Sequence, residues 1–154
     1  MEPRINLFAN GQKAMKALFA LGSYVNHSSL DRSLIELIEF RVSQINGCAY
    51  CLDMHSKDLR AKGETEQRLY GLDAWHEAPY YTDRERAALG WAEAVTNLSP
   101  GRVPDEVFQT ARQQFSEEEL VDLTMVVIVI NGYNRINVAF RMPAGDYKVG
   151  QFGE

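Results

Sequence analysis

An all-α fold in a single domain spanning residues 1–154 is predicted by three features. Apolar residues recur at helical spacing, two Ser/Thr-x-x-Glu capping boxes precede helical segments, and no Asn-Gly or Asp-Gly turn joins alternating runs. The 154 residues suit one domain with a sizeable core.

In chain order, a first helix is expected from about Phe8 to Val25, with Ala14, Leu18 and Leu21 on one face. Ser29 or Asp31 caps a second, which carries Leu34, Leu37, Ile38, Val42 and Ile45. Asn46-Gly47 stops it, because glycine accepts the left-handed conformation that ends many helices. A third helix opens at or near Cys48 and ends at Gly63, with Lys57, Arg60 and Lys62 complementing its C-terminal dipole. A short helix is expected over Glu64 to Gly71, and irregular chain from Leu72 to Tyr81. Thr82 and Glu85 box the next helix, whose inner face holds Ala88, Trp91, Ala92 and Val95. Ser99-Pro100-Gly101 is read as a turn, and Pro104 as the first turn of a helix to about Phe115. Ser116 and Glu119 box a long helix to about Phe140. Its β-branched centre, Met125 to Ile130, has strand propensity, but the box and the spacing of Asn131, Asn134 and Asn137 favour helix. An apolar surface all round makes this helix central or part of a subunit interface. The Gly-rich tail after Pro143 is expected to be loose or docked on a partner.

Composition narrows function. A formal charge of −5 gives nucleic-acid binding no electrostatic support, and no Lys/Arg block suggests a membrane surface. The apolar run Met125 to Ile130 is far below the roughly 20 residues a bilayer requires. Met1 to Asn6 shows no leader pattern, so a cytoplasmic location is expected. Two cysteines in that compartment are better explained by chemistry than as a staple, and two residues apart they would close too small a loop to stabilise much.

The chemistry concentrates in Cys48-Ala49-Tyr50-Cys51-Leu52-Asp53-Met54-His55. On a helix opening at Cys48, positions 48, 51, 52 and 55 share one face. The helix N-terminus stabilises a thiolate, and the thiolate is the nucleophile. The pair can also close a disulfide, so one sulfur can attack an oxidant and the other resolve the product. His55 beside Cys51 can handle the proton. If Asn46-Gly47 reverses the chain, His55 stands about 12 Å beyond the turn, with Glu36 and Glu39 about 16 and 12 Å before it. Either carboxylate can face His55. Glu36, flanked by Leu34, Ile35, Leu37 and Ile38, is expected to be partly buried with a raised pKa. A zinc site would need His27 and His76 to complete it, since no second Cys-x-x-Cys exists. Trp75, Tyr80 and Tyr81 are read as packing rather than a substrate entrance.

The pattern of Glu36, Cys48 twelve residues on, Cys51 and His55 resembles the core motif of alkylhydroperoxidase AhpD-like proteins of the carboxymuconolactone decarboxylase superfamily. The resemblance covers about Asp31 to Thr96, and the helix around Leu120 to Phe140 fits less specifically. It implies an all-α fold assembling as trimers or hexamers, with Cys48 and Cys51 as the redox pair, His55 as proton relay and Glu36 as the base behind it. A histidine precedes the second cysteine in the best-studied branch, where this chain has Tyr50. Decarboxylase members lack the cysteine pair, which disfavours lactone decarboxylation.

The expected activity is therefore a thiol peroxidase that reduces hydroperoxides through a Cys48/Cys51 cycle. Cys51 attacks, Cys48 resolves, and no cofactor is required. The expected partners are a hydroperoxide and a thiol or dithiol reductant. The alternatives are a disulfide reductase for a peroxiredoxin or lipoyl carrier, and a non-catalytic redox-sensing or metal-binding protein.

Overall fold

The computed structural model describes residues 2–98 and 102–152, and every regular element among them is helical. The turn expected at Ser99-Pro100-Gly101 lies outside the described residues.

The long first helix breaks in two. Asn6 caps α1 (Leu7–Asn10) through its side chain, and α2 (Gln12–Asn26) starts after Gly11. A Cβ at Gly11 would stand 2.8 Å from the Leu7 carbonyl oxygen, so the junction has room only for glycine. Ala14 is exposed, while Leu18 and Leu21 turn inward as expected and the inner face of α2 also includes Met15, Gly22 and Val25.

At the centre lies α3 (Arg32–Ile45), in which every residue from Leu34 to Ser43 is buried. Its apolar residues form the core with α4 (Ala49–Ala61), α6 (Asp83–Thr96) and α8 (Glu117–Phe140). Burial all round leaves its polar side chains in need of partners. Arg41 binds Glu93 at 2.8 Å and also Asp73, and Ser43 Oγ donates to the Glu39 carbonyl.

The short α5 (Glu66–Gly71) is capped by Thr65 and runs into a 3-10 turn at Leu72–Ala74. Trp75 and Tyr81 pack into the core rather than around an opening, with Trp75 Nε1 donating to Glu93 at 2.7 Å. Both capping boxes form as the sequence predicts, at Thr82 for α6 and at Ser116 for α8. Pro104 is the N-cap of α7 (Asp105–Gln114), one position before the expected first turn. By length and composition alone α8 could cross a membrane. In this fold it packs against α2, α3, α4 and α6, with Leu123, Val126, Val127, Val129 and Ile130 buried. Its β-branched centre is helix, because packing outweighs propensity.

The tail is not loose. Arg141 closes α8 in the left-handed conformation, φ 57°, and Met142 N–H returns to the Asn137 carbonyl at 2.9 Å. The following chain straps onto α4. Lys57 Nζ donates to the Gly145 and Tyr147 carbonyls at 3.0 and 3.1 Å. Gly145 N–H reaches Asp53 at 3.0 Å, and Tyr147 O–H reaches Asp58 at 2.8 Å.

Candidate active site

The α3–α4 junction sets the two sulfurs. Gly47 adopts φ 63°, a left-handed conformation that needs glycine, and lets Cys48 N–H bond back to the Ser43 carbonyl at 3.1 Å. Cys48 thus closes α3 with its backbone and caps α4 with its side chain. Its Sγ accepts from the Cys51 N–H at 3.4 Å. Asn46 fixes the turn by donating to Asn131 and Asn134, each at 2.9 Å.

Both cysteines are free thiols and 1% exposed. Their environments differ. The Cys48 thiol is lowered to about 7, chiefly by the hydrogen bond from the Cys51 thiol. The Cys51 N–H, Asn134 and Asn137 assist, against the cost of burial. Cys51 is raised by that same bond and by burial, so the pair carries one shared charge resting on Cys48. Asn137 Nδ2 donates to Cys51 Sγ at 3.3 Å. Only Cys51 of the two reaches the cavity below.

That cavity, about 510 Å³, lies between α2, α3, α4, α8 and the tail strap. Met15, Phe19, Met54, Tyr133, Met142 and Phe152 give it an apolar wall, while Glu36, Glu39, Asp58 and His55 line its polar side. His55 is buried, and burial holds its imidazole down to about 4. Its Nδ1 lies 3.7 Å from Glu39 Oε2. Its Nε2 is buried with no hydrogen-bond partner among the described residues.

The structure places Cys48, Cys51, His55 and Glu36 in one neighbourhood, but Glu36 is not the carboxylate at His55. Its Oε1 takes Arg32 Nε at 2.8 Å and Lys62 Nζ at 2.6 Å. The reason is register. Glu39 and His55 are equally far from the Asn46-Gly47 turn, so they stand level on antiparallel neighbours, whereas Glu36 lies about one turn beyond. Glu36 acts on His55 through its charge, which favours the imidazolium. Burial pushes Glu39 up to about 7.

Sequence reasoning missed three residues. Asn131, Asn134 and Asn137 each hydrogen-bond to a side chain at the α3–α4 end of the bundle. Asn131 and Asn134 hold Asn46, Asn134 also donates to Ser43 Oγ at 3.0 Å, and Asn137 serves Cys51. The available signal was three asparagines at three-residue spacing on an otherwise apolar helix. Of the histidines that zinc would require, His76 stacks on Trp75 and His27 bonds to the Ser23 carbonyl. Among the described residues, no group of three or more His, Cys, Asp or Glu stands where it could hold a metal ion.

A helical bundle presenting Cys-x-x-Cys at a helix N-terminus, with a buried histidine four residues on, defines the AhpD-like class. The chain belongs to the carboxymuconolactone decarboxylase family, whose model matches residues 12–94. An uncharacterised Bacillus subtilis protein, YdfG, is 43% identical over 139 residues, covering 90% of this chain and 95% of that one. A solved protein of unknown function from Agrobacterium tumefaciens, proposed for antioxidant defence as an AhpD, superposes with a TM-score of 0.91 at 44% identity. The match covers 95% of this chain and 100% of that one. The alkyl hydroperoxide reductase AhpD of Mycobacteroides abscessus is 42% identical over 45 residues, 29% of this chain and 26% of that protein. A peroxidase-like antioxidant role is thus supported at the level of the family.

Proposed function

We propose that this protein is a thiol-dependent peroxidase that reduces organic hydroperoxides through a Cys48/Cys51 dithiol–disulfide cycle. The observation that carries this reading is Cys51 at the wall of a largely apolar cavity, with Cys48 bonded behind it and His55, whose Nε2 has no partner among the described residues, lining the same cavity. Charge rests on Cys48 and access belongs to Cys51, so a proton passes from Cys51 to Cys48 before attack. The Cys51 thiolate then displaces alkoxide from the terminal peroxide oxygen and becomes a sulfenic acid. His55 Nε2–H protonates the alkoxide. Cys48 attacks the Cys51 sulfur, hydroxide leaves with the Cys48 proton as water, and a disulfide remains. Glu36, with Arg32 and Lys62 on it, completes the relay as a charge felt by the imidazole.

Burial favours this over a disulfide reductase. A protein disulfide would have to reach sulfurs that are 1% exposed, whereas a hydroperoxide fits the cavity. A small thiol or dithiol is the matching reductant, and a reducing cytoplasm would supply it. Homo-oligomerisation belongs to the same proposal. Phe19 and Tyr24 on α2, and Val121, Ile128 and Val138 on α8, are exposed apolar side chains that a second copy would cover.

The test is consumption of hydrogen, alkyl and aryl-alkyl hydroperoxides with a dithiol reductant. Wild type is expected to turn over. Cys48→Ser is expected to accumulate a Cys51 sulfenic acid, and Cys51→Ser to form none. Absence of turnover with all three peroxides would remove the peroxidase assignment. Wild-type sulfenic acid formation in Cys51→Ser would reverse the roles of the sulfurs.

A further inference from the structure

The cavity holds two buried carboxyl groups beside one histidine, in unlike surroundings. Glu36 has two cations on Oε1. Glu39 has no cation in contact among the described residues, and its Oε2 is directed at His55 Nδ1, 3.7 Å away. The other ring nitrogen, Nε2, is buried and unpartnered among the described residues, and His55 lines the cavity that Cys51 also lines. An imidazole with a carboxyl group behind one nitrogen and a reaction space before the other can pass a proton straight through.

We propose that Glu39 is the positioning residue of His55: its carboxylic acid donates to Nδ1, fixes the Nε2–H tautomer toward the cavity, and replaces the proton that Nε2 gives to the departing alkoxide. This rests on the peroxidase reading and adds the source of its proton. The separation is longer than a hydrogen bond, and such contacts in ligand-free sites tighten as the reacting complex forms.

The step balances. The Cys51 thiolate gives two electrons to the peroxide and the O–O bond breaks. The sulfur keeps the terminal OH as sulfenic acid, and the alkoxide leaves as alcohol with the Nε2 proton. Nδ1 takes the Glu39 proton, leaving a carboxylate. After Cys48 has closed the disulfide, a dithiol reductant returns two electrons and two protons, one to the thiol pair and one to His55 Nε2, whose Nδ1 proton goes back to Glu39 and restores the starting tautomer.

For this, Glu39 must be an acid at working pH, and its surroundings favour that. It is buried, with burial the largest influence on it; Glu36 and Asp58 reinforce the acid form, and Arg32 and Lys62 oppose it. His55 and Tyr133, the remaining titratable groups nearest to it, approach from α4 and α8. Elsewhere on the cavity wall stand His27, Tyr50, Cys51 and Tyr147. The acid form persists up to about 7, so proton delivery fails as pH rises past neutrality.

The experiment pairs Glu39→Gln with Glu39→Ala, read by peroxide turnover against pH and by the nitrogen chemical shifts of the His55 ring. Glutamine can donate an N–H to Nδ1 but cannot give up a proton. Wild type is expected to show the Nε2–H tautomer and to lose rate above about pH 7. Glu39→Gln should keep the tautomer, lose about 10²-fold in turnover and lose the alkaline fall. Glu39→Ala should lose both tautomer and rate. An Nδ1–H tautomer in wild type overturns the proposal, as does a Glu39→Gln enzyme with wild-type rate and pH profile. Inactivity of wild type toward every hydroperoxide would overturn the peroxidase reading and the proton delivery with it, and the ring shifts, which need no turnover, would still decide the positioning role.

Discussion

A buried sulfur holds negative charge only as well as the donors around it allow, and α8 adds two to those that Cys51 supplies. Asn137 donates to Cys51 at 3.3 Å, and both Asn134 and Asn137 favour charge on the pair. Asn137→Ala removes one donor from a site where burial already opposes the thiolate, so the thiol pair should titrate higher than in wild type. The measurement is alkylation by iodoacetamide across pH. The midpoint is expected to rise and the rate near pH 7 to fall, and an unchanged midpoint would show that Asn137 does not help to set the charge. The clustering of Cys48, Cys51 and His55 was legible because it depends on residue type at fixed local spacing on one helix. The His55 partner was not, since Glu36 and Glu39 differ by less than one helical turn and only the packed register separates them. The asparagines were equally hidden, because their partners lie across the contacts of α8 with α3 and α4.

At the level of elements, the α3–α4 junction builds the candidate site. Cys48 ends one helix and begins the next, and Gly47 permits both. The capping boxes, the Asn46-Gly47 stop and the order of helices could be read directly, because caps are local chemistry. The tail could not. It is held by the Lys57 ammonium on the carbonyls of Gly145 and Tyr147, and backbone acceptors leave no mark in a sequence. Asp53 organises this strap by accepting from both Lys57 and Gly145 N–H. Asp53→Ala should free the strap and, with it, the cavity wall formed by Tyr147 and Phe152. A loss of about 1 kcal/mol in strap closure corresponds to a roughly fivefold rise in KM for a bulky aryl-alkyl hydroperoxide. Hydrogen peroxide, too small to use that wall, should show little change. Equal changes for both peroxides would mean that the strap does not contact substrate.

Across the whole molecule, packing α3 at the centre against α4 buries Glu39 of α3 and His55 of α4, and these two act on stability with opposite sign. His55 is held down from 6.5 to about 4. Between those values the unfolded chain binds its proton and the folded protein does not, so this group makes stability rise with pH over that window. Glu39 is pushed up from 4.5 to about 7. Over that range the folded protein holds a proton that the unfolded chain has lost, so this group makes stability fall as pH rises. From about pH 4.5 to 6.5 the two slopes oppose, and wild type should be nearly flat there. Single substitutions should expose each component. Glu39→Gln leaves the His55 slope, so stability should climb from about pH 4 to 6.5. His55→Asn leaves the Glu39 slope, so stability should decline from about pH 4.5 to 7. Each component amounts to about 3 kcal/mol when fully developed. Urea unfolding of the three proteins at half-unit pH intervals gives the result. Parallel pH curves for wild type and both variants would mean that neither group is neutral in the interior, and the proton path from Glu39 through His55 would lose its thermodynamic basis.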